Sequence, residues 1–600
     1  MHALSRSARC LLLAAGGLAA ALGAAPARAQ VEAADGPLAR GLIVRLKDAV
    51  AHDGPEARQG GPRVREATAA AAAAGEALRW RRVIDESGVG GRSGKREPSL
   101  RPVGRDQQLL QFERALSPRE TAAMREKLMS RPEVEWVEPN LRERRLQAAP
   151  GDPLFAQQWW LQPVRGSNAN AIDMRLRGVA GFQSAWPRSN QAPVVVAVLD
   201  TGITAHPDLA GRVLPGYDFV SEVEYANDGN GRDGDASDPG DYVTPADLSN
   251  PLFSGCAVED SSWHGTIVAG MVAAQTDNGI GGAGMHWGAS VVPVRVAGKC
   301  GAELTDIVDG MRWAAGLHVP GVPDNPKANR ARILNISFGG SAACGPAYQT
   351  AIDELRAIGV VVVAAAGNEY AANPTRPASC VGAVGVVGLN RDGFKTNYSS
   401  FGGEIARSGL ATVAGDDPQG AWGSVLADSG LVTLTNQGVA APGPAGYARL
   451  YGTSFAAPQV AATLAHMLGL NPALSHEQLV QGLRQSARPH VTSPTMAECS
   501  DRNPGRCICT TATCGAGILD AERALMLVGG LVLPPLLPQV IDNADLDAAL
   551  QLAPQDRPSN VVEVSGSGDG GGGGAYGGFW LLALATAALT LRLLRPAPRR

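Results

Sequence analysis

The sequence has no long run of lysine or arginine, and with 18% charged residues and a formal net charge of −4 it lacks the clustered positive face that nucleic acid recruits. Nucleic acid is therefore excluded as a partner. The last four cysteines, in "CSDRNPGRCICTTATC" (499–514), have no paired C-x-x-C spacing and no histidine between them, which weakens a zinc site. The apolar run near the C-terminus, "FWLLALATAALTLRLL" (579–594), is broken by Arg592 and is short for a membrane span of ~20 residues. What the chain does have is length: 600 residues are too many for one core and imply several units, one of them large.

The first thirty residues run from Arg6 and Arg9 through an apolar stretch to "APARA" at Ala29, the charged, apolar, small-residue order of a secretory signal (1–29). Export makes the cysteines interpretable. Loss of Cys10 with the signal leaves eight, an even number in an oxidising compartment, which favours disulfides over free thiols. At the far end, "SGSGDGGGGGAYGG" (565–578) is a flexible glycine linker ahead of the apolar run, and "RPAPRR" follows. Trp580 at the outer edge and the terminal arginines fit a membrane segment whose basic end stays in the cytoplasm.

Between these ends lie two units of different character. In the first, "GLIVRLKD" (41–48) alternates as a strand, Ser117 with Glu120 forms a capping box opening a short helix, and "VEWVEP" (134–139) alternates again, so a small α+β unit is expected. An exposed polar link, "RERRLQAAPGD" (142–152), is open to proteolysis. The second unit, about 151–527, alternates β-branched runs with small-residue helices: "APVVVAVLD" (192–200), "ASVVPVRV" (289–296), "ARILNISFG" (331–339) and "GVVVVAAAGN" (359–368). Continuous apolar strands followed by helices imply a mainly parallel sheet with helices on both faces, whose functional residues gather at the carboxyl ends of the strands.

Three residues stand out at element ends. Asp200 closes the first strand, where a turn aspartate is also common. His264, in "SSWHGTIVAGMVAA", begins a helix, where a packing or capping histidine is the commoner case. Ser454 in "YGTSFAAPQVA" is expected to begin a helix that holds Pro458 in its first turns; there its oxygen faces the positive end of the helix dipole, and Gly452 lets a substrate backbone approach. A serine needs a base, and the base needs a carboxylate to orient it. Jointly, the three point to nucleophilic catalysis. No G-x-S-x-G elbow surrounds Ser454, and the order Asp, His, Ser differs from that of α/β-hydrolases.

"VAVLDTGITAHPDL" around Asp200, "HGTIVAGMVAA" at His264 and "YGTSFAAPQVA" at Ser454 resemble, in this order, the three signature blocks of the subtilisin-like serine proteases. A fourth block, "VVVAAAGNE", sets Asn368 where that family keeps an amide that donates to the oxyanion. The resemblance, over about 150–527, implies a subtilisin-like α/β fold and an endopeptidase acting on proteins and peptides. Ser454 would be the nucleophile, His264 the base, Asp200 its partner and Asn368 an oxyanion donor. Substrate would lie as an added strand beside Ser337, Phe338, Gly339 and Gly340; that segment and Ala365, Ala366 and Gly367 would wall a pocket roomy enough for a large apolar side chain. A catalytically dead surface binding protein on the same fold is the competing class.

"TDNGIGGAG" (276–284) resembles the family's calcium loop, which implies a structural Ca2+ held by Asp208, Asn278, Thr276, Ile280 and Gly282, with Asp152 as a further ligand. The acidic stretch "NDGNGRDGDASDPGD" (227–241) is a second candidate, although it lacks the EF-hand form and a solvated acidic loop explains it nearly as well. For the disulfides, Cys256 with Cys300 and Cys344 with Cys380 are expected, because each pair would couple loops near one catalytic block. The N-terminal unit (30–148), ending in "VEWVEPN", resembles the family's inhibitory propeptide, which implies an autoprocessed precursor cut between about Leu146 and Asp152, its own propeptide serving as a partner. The tail resembles a GlyGly C-terminal sorting signal read by a rhomboid-type protease. The expected organisation is signal 1–29, propeptide 30–148, catalytic domain 149–527, linker 528–578 and membrane or sorting segment 579–600. The expected product is a monomer that is secreted or on the cell surface, with transient anchoring in the inner membrane.

Overall fold

The computed structural model describes residues 39–47, 62–89, 98–103, 107–141, 149–166, 175–420, 422–536 and 538–541. The signal, the glycine tract and the apolar tail lie outside the described residues, as does most of the proteolysis-prone link. Among the described residues no helix is long and apolar enough to cross a membrane.

The chain divides into two compact units, Met1–Arg145 and Leu146–Arg600. In the first, strand β1 (Ala39–Leu46) pairs antiparallel with β3 (Gln107–Leu116) and β4 (Val134–Pro139), and β2 (Ser99–Val103) extends the sheet on β3, giving the order β2-β3-β1-β4. Alternation places Leu42, Val44 and Leu46 on the inner face, where they meet Trp80, Val83 and Ile84 of helix α1 (Pro62–Ser87) and Leu128 of α2 (Pro118–Met129). Helix α2 starts where the capping box places it: the Ser117 hydroxyl accepts from the Glu120 backbone N–H, and the Glu120 carboxylate accepts from that of Ser117.

The second unit is built on seven parallel strands. In chain order they are β5 (Val194–Asp200), β6 (Tyr217–Asp218), β7 (Ala289–Arg295), β8 (Ile333–Ile336), β9 (Val361–Ala365), β10 (Val384–Leu389) and β11 (Leu410–Val413); their spatial order is β11-β10-β9-β8-β5-β7-β6. The apolar runs are continuous because both faces are covered. Val196 and Val198 of β5 point into one core with helices α3 (His264–Ala273) and α6 (Ala457–Leu470), while Ala197 and Leu199 point into another with α4 (Leu304–Ala314) and α5 (Pro346–Ala357). A hairpin of β12 (Leu431–Asn436) and β13 (Ala445–Leu450) packs beside α3. Small residues let α3 approach it closely: a side chain at Gly270 would collide with Leu434.

This layout sets the expected site residues at one edge. Asp200 is the last residue of β5, Ser337 follows β8, and Asn368 lies just past β9, all at the carboxyl ends of parallel strands. His264 begins α3, and Ser454 lies in the turn just before α6; the two helices pack on the same sheet face.

Candidate active site

Asp200 is 1% exposed and His264 8% exposed. The His264 Nδ1 lies 2.8 Å from Asp200 Oδ1 and 3.0 Å from Oδ2, and Oδ1 also accepts the Thr201 backbone N–H at 2.9 Å. An ionised carboxylate only accepts, so Nδ1 carries the proton and Nε2 is left as the basic nitrogen. Burial works against a charged imidazole here. The charge of Asp200, its hydrogen bond, and the charges of Asp241 and Asp238 outweigh it, so the pKa of His264 is raised above its ordinary 6.5.

The serine differs from its expected setting. Ser454 is in a short 3-10 turn, Thr453–Phe455, and α6 begins only at Ala457, with Pro458 in its first turn. The turn is entered through Gly452 at φ 147°, a conformation that favours glycine. The Ser454 hydroxyl is 5% exposed at the residue level and donates to the Ser337 carbonyl at 2.7 Å; among the described residues it makes no hydrogen bond to His264. In return the Ser337 hydroxyl donates to the Ser454 carbonyl at 2.8 Å, so the serine turn is tied to the end of β8 from both sides.

The Asn368 side-chain carbonyl accepts from the Thr453 backbone N–H at 3.0 Å and from the Thr453 hydroxyl at 2.9 Å. With the oxygen committed, the NH2 group is turned the other way. It sits 3.7 Å from where a side chain on Gly452 would begin. Thr453 was missed in the sequence, and the signal for it was slight: a hydroxyl next to the serine.

The expected substrate walls are only partly free. Gly339 is exposed and Phe338 half-buried, but both backbone groups of Gly340 are used by Arg376, its N–H donating to the Arg376 carbonyl at 3.2 Å and its carbonyl accepting at 3.0 Å. Ala365 is buried, and Ala366 is fully buried among Val387, Leu389 and Phe394, so its methyl belongs to the core and not to a pocket wall. Gly367 faces Glu369 and Thr375, which a side chain there would strike. The Glu369 carboxylate beside it accepts from the Ser400 hydroxyl at 3.0 Å.

Of the six residues expected to hold calcium, Asp152 and Asp208 both meet Asn278. Asp152, 4% exposed, accepts the backbone N–H groups of Asp277 at 2.9 Å and Asn278 at 3.1 Å. Asp208, 1% exposed, accepts from the Asn278 side-chain amide at 2.8 Å. The Thr276 hydroxyl is buried without a partner, Gly282 is buried, and Ile280 donates its N–H to the Asn278 side-chain oxygen Oδ1 at 3.0 Å. At Gly281 a side chain would collide with Asp208 and Tyr447. Two buried carboxylates, an orphaned hydroxyl and a close-fitting glycine loop suit a hard cation. The second candidate is built differently. In the 227–241 loop, Asp228 pairs with Arg295 at 2.7 Å, Asp233 accepts from Asn230, Asp235 from Ser237, Asp238 from Thr201 and Asp241 from Ser262. Three of its acids thus take partners from outside the stretch: Asp228 from Arg295, Asp238 from Thr201 and Asp241 from Ser262.

Cys256 is bonded to Cys300 and Cys344 to Cys380. Cys499–Cys507 and Cys509–Cys514 form two further short-range bridges that sequence spacing left unassigned. Cys499, Cys509 and Cys514 cluster tightly enough for a metal, but each sulfur is spent in a disulfide and offers no thiolate.

Comparison with known proteins places this geometry. The chain is 36% identical over 435 residues to an extracellular protease of Xanthomonas campestris pv. campestris, across 71% of this chain and 65% of that protein. It is 35% identical over 405 residues to an extracellular basic protease of Dichelobacter nodosus, across 67% of this chain and 60% of that one. It therefore spans a little under two-thirds of the length of these relatives. The solved structure of a protease from Pseudoalteromonas arctica PAMC 21717 superimposes with a TM-score of 0.53 at 37% identity, covering 64% of this chain and all of that one. The subtilase family model matches residues 191–510, a stretch containing Asp200, His264, Asn368 and Ser454, and the chain belongs to the subtilase family.

Proposed function

We propose that this chain is an exported serine endopeptidase, made as a precursor and cut by its own active site. The observation that carries the reading is the buried Asp200–His264 pair, with Nε2 left basic, on the edge that also holds Ser454 and an Asn368 amide aimed by Thr453. Catalysis begins with rotation of the Ser454 hydroxyl away from the Ser337 carbonyl toward Nε2; such contacts commonly tighten only when substrate binds. His264 takes the hydroxyl proton as Oγ attacks the peptide carbonyl, and later passes it to the leaving amine; water then repeats the cycle on the acyl-enzyme. Asp200 holds the tautomer and supports the imidazolium. The Asn368 NH2 and the Ser454 backbone N–H meet the oxyanion, and loss of one such donor typically costs ~100–1000-fold in turnover.

The other parts of the reading follow from their chemistry. The N-terminal unit (30–148) acts as inhibitory propeptide, removed by cleavage between about Leu146 and Asp152. A calcium ion held by Asp208, Asp152, Asn278, Thr276, Ile280 and Gly282 ties the Asp208 turn to the 276–282 loop and supplies charge neutralisation, with no part in the chemistry. The glycine tract and apolar tail serve as a sorting segment that an intramembrane protease of the rhomboid type removes, and the mature enzyme is a secreted or surface monomer. The test is to express the precursor beside its Ser454→Ala form and compare chain length and casein hydrolysis. A Ser454→Ala chain that matures normally in the absence of other proteases, or still digests casein, would sink the reading.

A further inference from the structure

Two carboxylates outside the triad converge on the backbone that carries His264. Asp238 is 2% exposed, and its Oδ2 accepts from the Thr201 hydroxyl at 2.6 Å. That hydroxyl in turn accepts the Gly265 backbone N–H at 3.1 Å. Asp241 accepts from the Ser262 hydroxyl and from the Ser262 backbone N–H, each at 2.6 Å, and the Ser262 hydroxyl accepts the His264 backbone N–H at 3.3 Å. The two acids are therefore each one hydroxyl away from consecutive N–H groups at the start of α3. These are donors that no residue caps in the usual way: the N-cap is Trp263, in left-handed conformation (φ 52°) and with no side-chain cap hydrogen bond.

The arrangement has a direction. A hydroxyl that donates to a buried carboxylate is a stronger acceptor, so each relay grips its N–H more firmly than a free serine or threonine would. Thr201 is the residue after Asp200, and Gly265 the residue after His264, so the Asp238 relay fastens the two triad backbones to each other. The turn between the acids is held in its own right: Asp238 Oδ1 accepts the Gly240 N–H at 2.9 Å, and a side chain at Gly240 would strike the Ala440 carbonyl and the Ser261 hydroxyl. Asp241 also places negative charge behind the imidazole, and Asp238 adds to it as pH rises, because burial and the charge of Asp241 push the pKa of Asp238 up to about 7. The groups acting on His264 are Asp200 from β5 and Asp241 and Asp238 from this turn, whereas the serine turn presents the apolar ring of Phe455, 5.9 Å from the imidazole.

We propose that Asp238 and Asp241 are positioning residues for His264 in the proteolytic reaction proposed above, holding its backbone through Thr201 and Ser262 and supporting the positive charge its ring acquires in the transition state. The proposal rests on His264 being the base. It explains why an acidic stretch that resembles a metal loop lies beside a catalytic histidine: its last two acids are spent on the histidine.

The test uses the full-length chain, matured, with competent sites counted by a fluorophosphonate titrant and kcat/KM on a peptide anilide measured across pH. In Asp238→Asn and Asp241→Asn, kcat per titrated site should fall about tenfold, as expected when a base is held less well. In Asp241→Asn the acid limb should also move to lower pH, because negative charge behind the imidazole is lost; in Asp238→Asn it should move less, since that carboxyl, with a pKa of about 7, is largely neutral along the limb. A merely structural role would lower the number of competent sites and leave the limb in place; kcat per site within about twofold of the parent and an unmoved limb would overturn the proposal. If either variant yields no titratable enzyme, Thr201→Val and Ser262→Ala break the same relays while keeping both acids, and unchanged kcat per site in these two would overturn it equally. His264→Ala and Ser454→Ala are run alongside. Retained hydrolysis in those controls would refute the protease reading itself, separately from the outcome for the two acids.

Discussion

The carbonyl oxygen of Asn368 is held by Thr453 twice, from its backbone at 3.0 Å and from its hydroxyl at 2.9 Å. A side-chain amide has one acceptor end and one donor end, so fixing the oxygen aims the NH2. Thr453 also accepts the Gly367 N–H at 3.2 Å, joining the loop after β9 to the serine turn through one hydroxyl. Asn368→Ala is expected to lower kcat ~100–1000-fold with little change in KM. Thr453→Val should lower kcat by a smaller factor, and Thr453→Ser should restore most of it. Steady-state kinetics on one peptide substrate decides this; equal effects on kcat and KM would place Asn368 in ground-state binding instead.

The pH dependence follows from His264. As the proposed base it would work only when neutral, and its pKa is raised because the charge and hydrogen bond of Asp200 outweigh burial. Activity should therefore rise with pH along an acid limb whose midpoint lies above 6.5. In Asp200→Asn the limb should move down while the rate collapses. A midpoint at or below 6.5 in the parent enzyme would contradict the geometry.

Acid should also weaken the fold through a second histidine pair. His286 and His466 stack with ring centroids 4.1 Å apart, and both are fully buried. Burial lowers the pKa of His466 to about 4; burial, with the charge of His466 adding, lowers His286 well below 6.5. Unfolded histidines bind protons near pH 6.5 that the native state refuses. Stability is therefore full above that pH and is lost as pH falls toward 4, by about 3 kcal/mol for His466 alone. Thermal unfolding of the Ser454→Ala protein between pH 7 and 4 should show the decline. His466→Gln should be less stable at neutral pH but decline less steeply, and an equally steep decline would exonerate His466.

Metal removal should act on endurance and not on turnover. The proposed ligands Asp208, Asp152 and Asn278 tie loops together, and a cation that binds only the native state stabilises it by mass action. In excess chelator the heat-inactivation half-life should shorten while the initial rate barely changes, and Asp208→Asn should mimic chelation without added chelator. An unchanged half-life in chelator would remove the calcium assignment.

The sequence by itself determined what depends on neighbours along the chain. Continuous β-branched runs can be buried on both faces only in a covered parallel sheet, and so the strands ending at Asp200, Ile336 and Ala365 were legible, together with the Ser117 capping box. The same locality made Asp200, His264, Asn368 and Ser454 stand out, because each lies at an element end inside a distinctive run of small or apolar residues. Only the tertiary structure decided how these ends meet. The Ser454 hydroxyl points at the Ser337 carbonyl, 117 positions away, and Asp238 reaches Gly265 through Thr201; neither contact leaves a mark in local pattern. Composition is silent on such partners for the same reason. The 227–241 stretch reads as a metal loop or a solvated one because its acids are close in sequence, yet their partners Arg295, Thr201 and Ser262 come from elsewhere in the chain. Hydrogen bonds and ion pairs are made between groups close in space, and a sheet that sets β5 between β8 and β7 brings together residues that the chain keeps far apart.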